Sequence, residues 1–293
     1  MTGDAQILDR GYRRFDGDRA GVAAAVRSVA WHTTRGMLGL GRKFRFKIVP
    51  LLIILIGFLP AVGFAAFAII VSTIGGGAGE VFGDEIVPEY WELAPQSIPS
   101  IVLFIALMAP DAIVRDRKDG MVSLYLTTPL TISTYMLSKF LAVIGVLAII
   151  VLFPTLLFLL ALTFAEAGPD GFADWIVVLV RIVGSGLAAC VIYAAISMAA
   201  SSLSDRRSFA TAIVILAFFG TATTVSIMID VGDASETWQM FNPVVMPLEL
   251  IARVFGGRGE FPDVSTANVY AANVGWVAAA SGVLWWRYKD AGV

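Results

Sequence analysis

Residues 49–74 read VPLLIILIGFLPAVGFAAFAIIVSTI, 26 residues without one charged side chain. An α-helix rises 1.5 Å per residue, and about 20 apolar residues cross the hydrocarbon of a bilayer. The stretch therefore reads as a membrane-crossing helix, too long and too uniformly apolar for the core helix of a globular domain. Five further segments meet the same test: 93–114, 137–165, 175–204, 208–229 and 264–287. The second is the weakest, because Pro95, Pro99 and Pro110 fall in it and Asp111 ends its charge-free run. The fourth is interrupted only by Arg181.

Composition agrees. Of 293 residues, 58% are hydrophobic and only 15% charged, against about 25% charged in soluble domains. The distribution of charge sets the orientation, because Lys and Arg stay on the cytoplasmic side. Ten of the 21 basic residues precede residue 48. The loop 75–92 has no base but carries Glu80, Asp84, Glu85, Glu89 and Glu92. Bases return after the second segment (Arg115, Arg117, Lys118, Lys139), vanish from 166–174, and return at Arg206 and Arg207. The segment 230–263 is net acidic despite Arg253 and Arg258, and Arg287 and Lys289 follow the last apolar run. The sign alternates at each crossing. The expected fold is thus all-α and polytopic: one transmembrane domain over 1–293, six spans, both termini cytoplasmic. Trp91, Trp175, Trp285 and Trp286 fall near the expected helix ends, where aromatics favour the interface.

The flanking segments carry their own expectations. Residues 1–19 mix Asp and Arg and read as a polar cytoplasmic tail. Over 20–47, Val22, Val26, Val29 and Ala30 recur at near-helical spacing, followed by Arg42-Lys43-Phe44-Arg45-Phe46-Lys47. This pattern suits an amphipathic helix lying in the inner interface, its bases on anionic membrane lipids; the alternative is an ordinary positively charged flank. No apolar run comes early enough for a cleavable signal, so the first span is expected to be an uncleaved anchor. In 230–263, Met240-Phe241-Asn242-Pro243 and the run from Pro247 to Phe255 are too apolar for a free loop. One or two short helices at the outer leaflet are expected there.

Most chemistries find no support. The lone Cys190 cannot form an internal disulfide, and the lone His32 excludes a His-rich metal site. No G-x-x-x-x-G-K-[ST] loop, H-E-x-x-H motif or G-x-S-x-G elbow occurs. No basic stripe with interleaved aromatics calls for nucleic acid. Arg181 is near the outer surface and reads as an interfacial anchor. Asp111 and Arg115 are spaced to pair on one helix face. Pro60, Pro110 and Pro154 mark places where helices can bend.

The informative segment joins the second and third spans. Charge is dense from Arg115 to Asp119 (Arg115, Asp116, Arg117, Lys118, Asp119) and Gly120 follows. Met121, Leu124 and Tyr125 then recur at helical spacing, Pro129 ends the helix, and Thr131 or Ser133 can cap the next one. A short amphipathic helix on the inner face suits insertion into a groove of a soluble partner. The plainer reading is a short linker helix.

This segment resembles the corresponding loop of ABC-2 type transporter permeases. The charged cluster, Asp119-Gly120, Leu124-Tyr125-Leu126, Thr128-Pro129-Leu130 and Lys139 carry the likeness, with Met121 where that family usually has Thr. Ser201 to Ser208, including Asp205, Arg206 and Arg207, resembles the family's Ser- and Arg-rich turn between spans four and five. The resemblance implies a permease that binds no cofactor itself. ATP and Mg would sit on a separate ABC-class ATPase subunit, gripped through residues 115–126. A second permease copy, or a homologous one, would complete the exporter in the cell membrane. Two other readings stay open: a stand-alone secondary transporter, and a non-transporting scaffold or immunity protein.

Overall fold

The computed structural model describes residues 21–74 and 88–289. The tail expected over 1–19 and the outer-loop acids Glu80, Asp84 and Glu85 lie outside these residues. Every regular element among the described residues is helical. In chain order they are α1 (Val22–Met37), α2 (Arg45–Ile74), α3 (Leu93–Gln96), α4 (Ile98–Leu107), α5 (Asp111–Lys118) and α6 (Met121–Leu126). Then come α7 (Ile132–Phe164), α8 (Gly171–Ser202), α9 (Arg207–Ile215), a π-helical turn (Leu216–Gly220) and α10 (Thr221–Asp230). A 3-10 helix (Glu236–Phe241), α11 (Met246–Phe255) and α12 (Thr266–Tyr288) complete the described chain.

Five segments are long and apolar enough to cross a membrane: Arg45–Val71, Ile98–Lys118, Ile132–Phe164, Gly171–Ser202 and Arg207–Asp230. The last helix, α12, has 23 residues, enough in length to cross. Asn268, Asn273 and Arg287 dilute its apolar character.

The second segment departs from the single helix expected over 93–114. It is built in pieces. Ser97 separates α3 from α4, and a turn at 108–110 separates α4 from α5. Pro110 has no N–H to donate to the ladder. Ala109 N donates to Phe104 O at 3.1 Å, and Val114 N to Pro110 O at 3.0 Å, so backbone bonding resumes across the break. The helical path therefore runs on to Lys118, and Arg115, Asp116, Arg117 and Lys118 lie on helix rather than in a loop. By contrast Pro50 and Pro60 stay inside α2, and Pro154 inside α7.

The spine of the bundle is α7, packed against α1, α2 and α8. Its residues Val143, Val146, Leu147 and Ile150 are fully buried. The C-terminal part of α8, from Ile192 to Ser202, is buried throughout and rich in Ala and Ser. Small side chains let helix backbones approach closely where no hydrophobic effect drives association within lipid. Ala195 and Ala199 there meet Ala280 of α12.

The segment 230–263 folds back onto the bundle. Tyr193 of α8 donates its hydroxyl to Val244 O at 2.6 Å, and Asn273 Nδ2 of α12 donates to Met246 O at 2.9 Å. Every residue of α11 from Met246 to Ala252 is buried, including Glu249. Glu249 pairs with Arg253 at 3.4 Å. Its Oε1 accepts the Glu260 amide at 2.6 Å, while Arg253 Nη2 donates to Phe261 O at 2.9 Å and Val264 O at 3.0 Å. This ion pair holds the link between α11 and α12. Burial is the largest influence on the Glu249 carboxyl and raises it above the usual carboxylate range; the amides of Glu260 and Phe261 and the Arg253 charge pull the other way.

Candidate functional site

The α5–α6 corner is shaped by one glycine. Gly120 N donates to Arg117 O at 3.2 Å, closing α5, and Gly120 itself takes φ 65°, in the left-handed region. From there α6 sets off in a new direction, with Ser123 Oγ returning a bond to Gly120 O at 3.0 Å. Nothing crowds the position where a Cβ would stand at Gly120. Gly120→Ala should therefore cost only the left-handed strain, about 1 kcal/mol, visible as a small drop in the thermal unfolding midpoint without loss of assembly. α6 ends in bonds from Thr127 N to Leu124 O and from Thr128 N to Tyr125 O, and exposed Pro129 follows. Of the two candidate caps, Thr131 takes the role: Thr134 N donates to Thr131 Oγ1, and Thr131 N to Thr134 Oγ1, a reciprocal box.

Two kinds of residue share this corner. Leu124 is 57% exposed, and Arg115, Lys118, Asp119 and Pro129 are also exposed. They form an outward face. Arg115 reaches Asp119 at 3.9 Å, so the expected pair with Asp111 does not form. Asp111 is instead 2.9 Å from Arg207, whose Nη2 also donates to Leu107 O at 3.1 Å. Across-helix contact brings Arg207 closer than one turn of α5 brings Arg115.

Asp116, Arg117 and Tyr125 point inward. Asp116 lies 2.6 Å from Lys139 Nζ and accepts the Tyr135 hydroxyl at 3.0 Å. Lys139 is 2% exposed and also donates to Thr33 Oγ1 of α1 at 2.9 Å. Its ammonium lies 5.6 Å from the Tyr125 ring centre and 5.4 Å from that of Tyr135. A buried ammonium is tolerated only with its counter-charge and donors satisfied, and this one has both. Burial and then the Asp116 charge push the Tyr125 hydroxyl up from its ordinary value, so the ring stays neutral under the cation. One cluster thus joins α1, α5, α6 and α7.

A second clamp adds the turn between α8 and α9. Arg117 pairs with Asp205 and donates to Ser202 O at 2.7 Å. Arg287, at the end of α12, donates to the same carbonyl at 3.3 Å and lies 3.9 Å from Asp205. Arg206 is exposed and makes no ion pair among the described residues. The two sequence segments singled out, 115–129 and 205–207, are therefore in direct contact. Sequence reasoning missed Thr33, Tyr135, Ser202 and Arg287 as members. Lys139 and Arg287 gave a signal, each as a base at the end of a span, and Ser202 lay in the Ser-rich turn, whereas Thr33 and Tyr135 gave none.

The arrangement places no group of three or more metal-binding side chains among the described residues. The exposed Leu124 of α6 thus adjoins α5, whose Asp116 contacts Lys139 and Tyr135 of α7 and whose Arg117 contacts Ser202 of α8 and Asp205 of the turn after it.

A cavity of about 460 Å³ lies between the π-helical turn, α10, the 3-10 helix and α12, lined by Leu216, Thr221, Thr224, Trp238, Phe241 and Trp276. Its walls are mostly apolar, with two hydroxyls.

No curated protein matches the chain. A family model described as ABC-2 family transporter protein matches residues 90–286, which takes in α5–α6, the turn at Asp205 and the segment 230–263. The chain is a multi-pass membrane protein and belongs to the ABC-2 transporter family.

Proposed function

We propose that this chain is the permease subunit of an ATP-driven exporter in the cell membrane. It crosses six times, with α12 as the sixth span, both ends cytoplasmic and α1 on the inner surface. It hydrolyses no ATP: ATP and Mg act on a separate ABC-class ATPase, which grips the permease through residues 115–126. A second permease, identical or homologous, completes the pathway. The least buried of the five candidate spans is Arg207–Asp230, with 17% of its window inside the protein against 61% for Ile98–Lys118, and it offers its free face to that second copy. The outer cavity has the size of a small-molecule site, ~300–1,000 Å³, and suits an apolar cargo on its way out.

The observation that carries the coupling reading is the division of labour in α5–α6. Leu124 stands out on the surface, while Asp116 and Arg117 on the preceding helix are tied to the bundle. Closure of an ATPase dimer would push the exposed tip, and the tied residues would pass the push to α7, α8 and α12. This is a two-state element biased by a ligand on another chain.

Leu124→Glu tests it. The substitution exposes no core and should leave the unfolding midpoint unchanged. Copurification of the ATPase, or substrate-stimulated ATP hydrolysis by the complex, should fall at least tenfold, the ~1.4 kcal/mol or more that a buried carboxylate in an apolar groove costs. Full hydrolysis and retention of the partner in that variant would defeat the coupling role.

A further inference from the structure

A cavity of about 490 Å³ opens between α1 and the α5–α6 corner. Its charges do not cancel. The three acids on its walls are each engaged: Asp111 with Arg207 at 2.9 Å, Asp116 with Lys139 at 2.6 Å and Asp119 with Arg115 at 3.9 Å. Two further wall residues, Arg35 and Arg42, make no ion pair among the described residues, and His32 shares their side. The turn after α1 puts both on the wall of this one cavity. Leu40 N bonds back to Arg35 O at 2.9 Å, and Arg35 Nη2 reaches over Gly41, 3.8 Å from where a Cβ would stand. A mouth with two unspent guanidinium groups, each able to offer paired donors, recognises a phosphate-type oxyanion.

The surroundings say where that anion comes from. Directly after Arg42, the residues Phe44, Phe46, Ile48, Val49, Leu51 and Leu52 are exposed and apolar. An anion bound at Arg35 and Arg42 that also carried acyl chains would lay them along this face. A free phosphate would leave the face unused.

We propose that the cavity binds the phosphodiester headgroup of an anionic phospholipid of the inner leaflet, between Arg35 and Arg42, with its acyl chains on the start of α2. The proposal rests on the permease reading only in placing α1 at the inner membrane surface. The occupant would wedge between α1 and the α5–α6 corner and so bias the coupling element from the lipid side.

The test uses the purified full chain in detergent, titrated with dioleoylphosphatidylglycerol and followed by native mass spectrometry. Binding should weaken at least tenfold in R35Q/R42Q, since both guanidinium groups lose their charge-assisted paired donors to the headgroup. It should change less than twofold in K43Q/K47Q, which removes the same charge from the neighbouring flank. Dioleoylphosphatidylcholine should bind at least tenfold more weakly than the glycerol lipid, and 10 mM inorganic phosphate should not displace it. Equal losses in the two double variants would reduce the effect to general surface attraction and overturn the site. Equal binding of the choline lipid, or displacement by phosphate, would overturn the ligand. If R35Q/R42Q keeps its lipid but sheds the ATPase from the purified complex, the cavity is a seat for acidic side chains of that partner and the lipid assignment fails. Because the lipid arm needs no ATPase, its failure leaves the coupling proposal standing, and the Leu124 experiment leaves the lipid site untouched.

Discussion

Lys139→Met is expected to destabilise the protein by about 3–5 kcal/mol, the cost of breaking a buried ion pair from one side. The methionine fills the space of the lysine stem, so packing changes little. What remains is Asp116 without its counter-charge, 14% exposed at the side chain and left with the Tyr135 hydroxyl as its one donor among the described residues. Asp116→Leu should cost a similar amount by stranding Lys139 instead. The double variant D116L/K139M should recover most of the loss, because a well-packed apolar pair often replaces a buried ion pair at little cost. Thermal unfolding in detergent, followed by thiol labelling of the buried Cys190, reads all three. A single variant as stable as the parent would mean that water reaches the cluster and screens it. The stable double variant has a second use: if the cluster transmits movement from α6, transport should stay impaired although stability returns.

The second large effect is expected in the segment that links α11 to α12. Glu249→Ala should cost about 3 kcal/mol, again by leaving a buried charge alone. Arg253 would keep its carbonyl partners Gly257, Phe261 and Val264 but lose its anion. The amides of Glu260 and Phe261 would lose their acceptor. Faster hydrogen exchange across 256–264, with little change in α7 and α8, is the expected signature. Glycine at 259 belongs to the same device: its φ is 65°, and a Cβ there would run into the Glu249 carboxylate.

The pair also has a pH sense. Folding raises the Glu249 carboxyl above its unfolded value, chiefly by burial. The folded state therefore holds this proton over a pH range in which the unfolded chain has lost it. Stability from this group is greatest below the unfolded value and declines as pH rises through the raised one. Exchange across 256–264 should accelerate over that interval, after correction for intrinsic rates, and Glu249→Gln should flatten the dependence. An unchanged profile in Glu249→Gln would assign the effect to another group.

Much of this architecture could be read in advance because bilayer thickness acts on single segments. A run such as 49–74 declares itself by its own length, and no knowledge of its neighbours is needed. α6 was similarly local: Gly120, the spacing of Met121, Leu124 and Tyr125, and Pro129 bound it from both sides. What escaped was tertiary. Asp116 and Lys139 were both noticed, yet nothing in a 23-residue separation says that two helices will fold the one onto the other. Helical spacing pairs Asp111 with Arg115 because that spacing is visible in a sequence, whereas the distant Arg207 is not. The broken second segment shows another limit. Three prolines announced trouble, but only the backbone bonds around 108–110 reveal that the helical path resumes and carries the charged cluster with it. Glu249 and Arg253 stood four apart in a stretch recognised as too apolar for a loop, so that pair was within reach of the spacing rule.

The wide turn at Leu216–Gly220 carries a consequence for the register of its helix. A π turn holds one residue more than an α turn, and each residue of an α-helix advances the azimuth by about 100°. The surplus residue thus decides which way α10 looks. Thr221 and Thr224 mend the disturbance, since their hydroxyls donate to the carbonyls of Ala217 and Gly220 at 2.6 and 2.7 Å. Excising Ala217, which does not line the cavity, would restore an unbroken coil and swing both threonines away from Trp238 and Trp276, closing a vestibule whose lining side chains are all retained.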